Sequence, residues 1–327
     1  VDGDLNVGKI TSKTGDVCLT AIRGDILDGN NDDGVDIQGV NITLIAENGD
    51  VGEKRDPLDL DSSNPTPGEG TVSAINQYIT EKGDLKLQLV QVLGSVSFAT
   101  IGGGNIQLLG GGAIIVTGNL DLLASGDVLL DPESTVQAGG IITIKGDVLN
   151  GKAGGATIHL AGLIDANQVD VMGGNEADMI FLDTIFLNGL VTVKGGEGND
   201  TLRVKSLRRT GLFDDGTDEG GGRGLRTAAL TAEGRDGLTL DGQNGDDRYV
   251  FDTEHDLVAG FGLINVADTG TRGIDSMQVN GDDGGDVFVI NNDTVIGGGA
   301  TVKQVGVESL EVNGGAGNDT IFVLATK

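Results

Sequence analysis

The sequence is poor in cysteine, proline, aromatic residues and positive charge. It has no tryptophan, two tyrosines, four prolines and one cysteine, Cys18, among 327 residues. One cysteine excludes an internal disulfide, and no apolar run approaches the ~18 residues that a membrane-spanning helix needs. Apolar residues at helical 3.6-residue spacing are almost absent, which excludes a helical bundle.

Basic residues are outnumbered throughout the chain. There are 21 lysines and arginines against 50 acidic residues, a formal net charge of −29. Residues 1–165 hold 9 basic and 23 acidic residues, and residues 166–327 hold 12 and 27, so both halves are equally acidic. This charge argues against nucleic acid and against insertion at an anionic membrane surface. It favours cations as partners, or serves solubility alone.

Glycine is abundant, with 58 residues that separate short β-branched runs. In the first half a Gly-Asp or Gly-Asn turn precedes alternating apolar residues, as in KGDLKLQL from Lys82 and SGDVLLD from Ser125. Gly83, Gly104, Gly126 and Gly146 are 21, 22 and 20 residues apart. This interval predicts the coils of a parallel β-helix, whereas a β-sandwich, the alternative, would show turns every ~8–12 residues.

The second half carries five copies of a glycine–aspartate motif, among them VKGGEGNDTLRV from Val193 and VNGGAGNDTIFV from Val312. An aspartate follows the first glycine of each copy by five residues, and an apolar strand comes next. These aspartates are Asp178, Asp200, Asp247, Asp286 and Asp319. Stacking the five copies predicts an aliphatic ladder through Val171, Val193, Leu240, Val279 and Val312.

The predicted fold is therefore all-β: a right-handed parallel β-helix, or β-solenoid, of about a dozen coils. Residues 1–165 form its Gly-Asp part, and residues 166–327 continue it with the five motifs. Two polar stretches, 53–70 with three of the four prolines and 205–226 with DDGTDEGGGRG, are predicted to be loop insertions.

Two resemblances follow from these motifs. The first half, and NITLIAENGDVGEKRDPLDL from Asn41 above all, resembles the coils of filamentous-haemagglutinin-like bacterial exoproteins. The second half is similar to the calcium-binding GGxGxD repeats of RTX-type exported proteins, which Gly195–Asp200 and Gly314–Asp319 match in full. Here the copies are isolated rather than repeated every nine residues. The resemblance implies a section of a large secreted bacterial surface protein or adhesin.

Stacked motif aspartates would lie about 4.8 Å apart and repel one another, so one would protonate or bind a cation. Calcium accepts six to eight oxygen ligands, which carboxylates and turn carbonyls can supply. The candidate ligands are Asp200, Asp319, Asn199, Asn318, Asp247, Asp246, Asp286 and Asp178. Alternatively, each aspartate caps its own turn without a metal.

Signals for catalysis are weak, since His159 and His255 lie far apart and no nucleophile motif occurs. We expect a non-catalytic structural or adhesive segment of an extracellular, cell-surface protein: a rigid acidic spacer, stalk or filament subunit. Its expected partners are calcium ions and other copies or flanking segments of the same protein. The alternative is a carbohydrate-binding or carbohydrate-active β-helix, with surface polysaccharide as partner and two carboxylates near an arginine in a groove.

Overall fold

The computed structural model describes residues 1–30, 32–63, 70–148, 152–208, 237–253, 263–298 and 300–325. Within these ranges the extended elements are β-strands and no α-helix occurs, so the prediction of an all-β chain is confirmed. The described part accordingly has no helix of the length and hydropathy that crossing a membrane requires.

Twenty-eight strands follow one another along the described chain. The first ten are β1 Leu5–Val7, β2 Ile10–Thr11, β3 Val17–Ala21, β4 Ile26–Asp28, β5 Ile37–Gln38, β6 Ile42–Ala46, β7 Leu58–Asp61, β8 Gly70–Ser73, β9 Gln77–Lys82 and β10 Leu85–Val92. The next nine are β11 Val96–Ile101, β12 Ile106–Val116, β13 Leu120–Leu123, β14 Val128–Leu130, β15 Thr135–Ala138, β16 Ile141–Lys145, β17 Thr157–Met172, β18 Met179–Glu197 and β19 Thr201–Arg208. The last nine are β20 Gly237–Asn244, β21 Arg248–Asp252, β22 Ile264–Ala267, β23 Ser276–Asn280, β24 Val287–Asn291, β25 Thr294–Gly297, β26 Ala300–Val305, β27 Ser309–Asn313 and β28 Thr320–Ala325.

Strands pair in parallel with strands that come later in the chain, an arrangement that fits a β-solenoid. One continuous series of parallel partners runs through Leu5, Ile26, Val51, Gln77, Val96, Leu120, Ile142, Val169, Val191, Leu238, Ile264 and Val302. The antiparallel β24–β25–β26 segment departs from this pattern. Parallel strands need a crossover between them, which explains why the residues paired in parallel lie 19 or more positions apart in the sequence.

Alternation along the strands places one set of side chains inside the stack. In β6, for example, Ile42, Leu44 and Ala46 are buried while the residues between them are partly exposed. Buried aliphatic residues from Val7 to Val302 form one continuous core cluster. The apolar ladders therefore run lengthwise through the stack, where each layer excludes water from the next.

Polar turn residues of the first half also form a ladder. The backbone N–H of Asp25 donates to the Asp4 carboxylate (3.0 Å), that of Asp50 to Asp25 (2.8 Å), and that of Asn76 to Asp50 (3.0 Å). Ser95, Asn119 and Ile141 extend the series in the same direction. The Gly-Asp and Gly-Asn turns thus pair the backbone of one layer with side-chain oxygens of the layer before it.

The structure differs from the predicted boundaries in two places. Leu58–Asp61, inside the predicted insertion 53–70, form strand β7, which pairs with β5 and β9 because Leu58 and Leu60 join the core. Residues 64–69 lie outside the described ranges. Of the predicted insertion 205–226, residues 205–208 belong to β19 and the remainder lies outside the described ranges. Strand β17 crosses the 165/166 boundary without interruption.

Candidate functional site

Each motif folds its aspartate back onto its own first glycine. The second carboxylate oxygen, Oδ2, lies where a side chain on that glycine would project, and this holds for the pairs Gly173–Asp178, Gly195–Asp200, Gly242–Asp247, Gly281–Asp286 and Gly314–Asp319. The close approach explains the constant five-residue spacing, because any Cβ at the first position would collide with the carboxylate.

The first three motif aspartates lie in successive layers of the stack. The Oδ1 atom of Asp200 accepts the backbone N–H of Asp178 (2.8 Å), and Asp247 accepts that of Asp200 (2.7 Å). The series continues with Asp275, which accepts the N–H of Asp247 (2.8 Å), and Glu308, which accepts that of Asp275 (2.8 Å). This set, Asp178, Asp200, Asp247, Asp275 and Glu308, is the carboxylate ladder; its four aspartates are buried and Glu308 is exposed.

The prediction of one ladder through all five motifs is wrong. Asp286 and Asp319 form a separate step, in which Asp286 donates its N–H to the Asp319 carboxylate (3.0 Å). Val171, Val193 and Leu240 are aligned as predicted, but Val279 pairs with Phe251 and Val312. The fourth and fifth motifs are therefore displaced by one strand around the stack, because β23 pairs with β21 rather than β20.

Asp275 occupies the fourth position of the carboxylate ladder, where the motif spacing predicts Asp286. A glycine–aspartate signal does precede it, since Gly273 stands two residues before Asp275 as Gly198 and Gly245 do before Asp200 and Asp247. All three glycines have positive φ angles, of 110°, 117° and 147° respectively. The shared signal is thus Gly-x-Asp before a strand, and the upstream glycine pair used to find the motifs is not needed.

The residues before the motif aspartates face outward. Asn199 and Asp246 are exposed, and the Asn199 side chain accepts the N–H of Asp246 (3.0 Å). The carboxylate of Asp246 in turn accepts the N–H of Ile274 (2.9 Å). Asn318 is also exposed. The Asn199 and Asp246 side chains thus hydrogen-bond the outside of the turns, one residue away from the carboxylate ladder.

The motif aspartates differ in how fully they are hydrogen-bonded. Asp178 accepts the N–H of Ala156 (2.5 Å) and that of Gly174, so both of its oxygens have partners. Asp286 accepts the N–H of Asp282 (3.0 Å), the turn-capping arrangement that needs no metal. In Asp200 and Asp247, by contrast, the Oδ2 atom is buried without a hydrogen-bond partner.

Burial governs the electrostatics of the carboxylate ladder. Burial, together with the neighbouring Asp247 and Asp178 carboxylates, raises the pKa of Asp200 to about 8, against the lowering effect of the backbone hydrogen bond from Asp178. Burial likewise raises the pKa of Asp247 to about 6, with Asp275, Asp268 and Asp241 adding to the effect. The pKa of Asp178 is also raised by burial, against the lowering effect of its two backbone hydrogen bonds.

Of the features weighed for catalysis, the described ranges contain His159 and an open cleft. His159 lies 3.7 Å from the Asp183 carboxylate on the partly exposed outside of β17 and β18, and His255 lies outside the described ranges. An open cleft is lined in part by Gln137, Asp165 and Asn167. Its lining has one carboxylate and neither an arginine nor an aromatic ring, so it lacks the features expected of a carbohydrate site.

Comparison with known proteins returns no match: no family model, curated protein or solved structure matches this chain.

Proposed function

We propose that this chain is a non-catalytic structural or adhesive segment of an extracellular, cell-surface protein, acting as a stiff acidic spacer, stalk or filament subunit. In this proposal it is a right-handed parallel β-helix of about a dozen coils. Crossovers between parallel strands are nearly always right-handed, and about a dozen layers at ~4.8 Å each give a rod near 60 Å long.

The observation that carries the proposal is the uninterrupted series of parallel partners from Leu5 to Val302. A stack in which each layer is bonded to the next and shares one apolar core resists bending. The excess of 50 acidic over 21 basic residues suits a solvated exterior. The resemblances of both repeat types to exported bacterial proteins also support secretion.

Partners for such a rod would be flanking segments of the same protein or further copies of the chain. A solenoid layer completes its backbone hydrogen bonds through its neighbours. Strand β28 supports this part of the proposal, because Phe322, Val323 and Leu324 are 51%, 59% and 69% exposed. An additional layer of strands would cover these side chains.

Calcium is part of the same proposal. The candidate ligands are the motif residues named from the sequence, Asp178, Asn199, Asp200, Asp246, Asp247, Asp286, Asn318 and Asp319. The unpartnered Oδ2 atoms of Asp200 and Asp247 support a cation at the carboxylate ladder, whereas the hydrogen bonds of Asp178 and Asp286 support capping.

Two measurements test the proposed role. Negative-stain electron microscopy of the purified chain should show rods near 60 Å long, and antibodies raised against the chain should label intact cells that produce it. Compact particles, or labelling only after cell lysis, would contradict the proposal. Neither readout measures calcium binding, so this test stands apart from any measurement of metal binding.

A further inference from the structure

Three aspartates lie close together at one step of the carboxylate ladder. It is the step between Asp247, which belongs to the third motif, and Asp275, which belongs to no motif. Asp247 directly precedes β21, Asp275 directly precedes β23, and Asp268 directly follows β22. One carboxylate oxygen from each lies within 4.8 Å of those of the other two. Asp247 and Asp275 are buried and Asp268 is half-buried, so the group opens to solvent on the Asp268 side. We call these three residues the aspartate triad.

The hydrogen bonds of the aspartate triad leave one buried oxygen without a partner. Asp247 and Asp275 each use Oδ1 to accept a backbone N–H of the carboxylate ladder. Asp268 accepts the N–H of Gly270 (2.7 Å) and the hydroxyl of Tyr249 (2.5 Å). The Oδ2 atom of Asp247 is buried and accepts nothing. A buried carboxylate oxygen without a partner is costly, which points to a ligand that carries positive charge.

Nothing in the described surroundings of the aspartate triad supplies that charge. The charged groups that act on Asp268 and Asp275 are Asp241, Asp246 and Glu308, besides the triad itself. Across the described ranges, no lysine or arginine forms an ion pair with any of the three carboxylates. Three carboxylates this close repel one another unless they share protons or bind a cation.

We propose that Asp247, Asp268 and Asp275 form a binding site for one calcium ion. The donor set is entirely oxygen, which suits a hard cation and disfavours metals that select thiolate or imidazole. Calcium–oxygen distances of about 2.3–2.6 Å place two ligand oxygens up to ~5 Å apart across the ion, a span that accommodates three oxygens lying within 4.8 Å of one another. Turn carbonyls and water can complete six to eight ligands.

This site deepens the calcium part of the proposed function, and it depends on the repeated motif only through Asp247. Asp268 and Asp275 lie outside all five motifs. A bound ion would connect the turns before β21 and β23 with the end of β22. It would therefore link adjacent layers at the point after which the fourth motif is no longer aligned with the first three. Calcium would then stabilise the stack at its change of register.

Tyr249 provides a direct probe of the site. Its hydroxyl bonds to Asp268, the ring is fully buried, and the chain has no tryptophan and one other tyrosine, Tyr78. Terbium(III), an oxygen-seeking stand-in for calcium, luminesces when a nearby tyrosine absorbs light. We expect the chelator-treated full chain to give tyrosine-sensitised terbium emission that calcium chloride displaces. Tyr249→Phe should abolish the emission and Tyr78→Phe should preserve it.

Substitutions separate this site from the other candidate ligands. Asp268→Asn and Asp275→Asn should each weaken calcium binding in calorimetry by at least about tenfold, with circular dichroism confirming that each variant folds. The exposed Asp283→Asn is the matched control and should bind as the parent does. Wild-type affinity in both triad variants, or no terbium emission from the parent, would overturn the proposal. A loss of calcium confined to Asp319→Asn would likewise reject the triad while upholding calcium at the motifs.

Discussion

Two aspartates of the first half are buried beside other carboxylates, well away from the aspartate triad. Burial raises the pKa of Asp36 to about 6 and that of Asp59 to about 7. A hydrogen bond from Thr80 lowers the pKa of Asp59, whereas Asp36, Asp28 and Asp33 raise it. One oxygen each of Asp28 and Asp36 is buried without a partner. The raised pKa values mean that the folded state favours the protonated forms of Asp36 and Asp59.

This preference predicts a chain that loses stability as the pH rises. A folded-state pKa above the unfolded value gives stability that is complete below the unfolded pKa, near 3.8, and lost through about 6 for Asp36 and about 7 for Asp59. In chelator, the melting temperature should fall between about pH 4 and about pH 7. Asp59→Asn, which stays neutral, should make that fall clearly shallower.

Net charge could produce a similar fall, because repulsion also grows as carboxyl groups ionise. Asp283→Asn is therefore the matched control, since it removes one negative charge from the exposed surface and leaves the buried carboxyl groups unchanged. It should leave the slope of melting temperature against pH unchanged. An equal effect of the two substitutions would show that total charge, rather than the burial of Asp59, sets the pH dependence.

At the scale of elements, stacked glycines decide where the turns of the second half can superpose. Gly198, Gly245 and Gly273 all have positive φ angles. A Cβ on Gly245 would overlap the carbonyl oxygen of Gly198, and one on Gly273 would overlap that of Gly245. Each turn therefore rests directly on the backbone of the previous layer, a contact that a side chain would prevent.

Gly245→Ala should destabilise the chain strongly. It combines a collision with backbone and a φ of 147° that side chains avoid, and backbone strain of this kind costs about 1–3 kcal/mol before any collision. Gly237→Ala, at the start of β20, is the matched control because no atom lies within 4 Å of the added Cβ. Urea unfolding should separate the two variants. Equal midpoints would contradict the role assigned to the stacked glycines.

Sequence periodicity predicts where the strands lie better than it predicts which strands stack on one another. The Gly-Asp interval from Gly83 to Gly126 matches the pairing of Leu85 with Ile106 and of Ile106 with Val128. The first three motifs align because Val171, Val193 and Leu240 continue one apolar series. Local pattern suffices here, since a one-residue slip would turn every buried side chain outward.

The displacement of the fourth and fifth motifs by one strand could not be predicted from the apolar pattern of the sequence. Val279 satisfies the inward pattern whether it stacks on Leu240 or on Phe251, and the structure pairs it with Phe251. A slip by a whole strand keeps each apolar residue inside, so hydrophobicity does not distinguish the two registers. Asp268 could not be found by a glycine motif either, because it joins the triad from the end of β22.

At the scale of the whole molecule, the surface charge opposes the fold that the core stabilises. The chain carries a net charge of −29, and its fold stacks acidic turns of successive layers directly on one another. The apolar core and the backbone pairings have to outweigh this repulsion. Mobile ions shorten its range, from about 30 Å at ~0.01 M salt to about 3 Å at ~1 M.

Monovalent salt should therefore stabilise the chain. In the presence of chelator, the melting temperature should rise by several degrees between ~0.01 M and ~1 M sodium chloride, with most of the rise below ~0.2 M, where screening changes fastest. Potassium chloride should give the same curve, because screening depends on ionic strength rather than on the identity of the cation. A melting temperature that falls with salt would show that attractive ion pairs, such as Lys152–Asp127 (2.5 Å), outweigh the repulsion among the carboxylates.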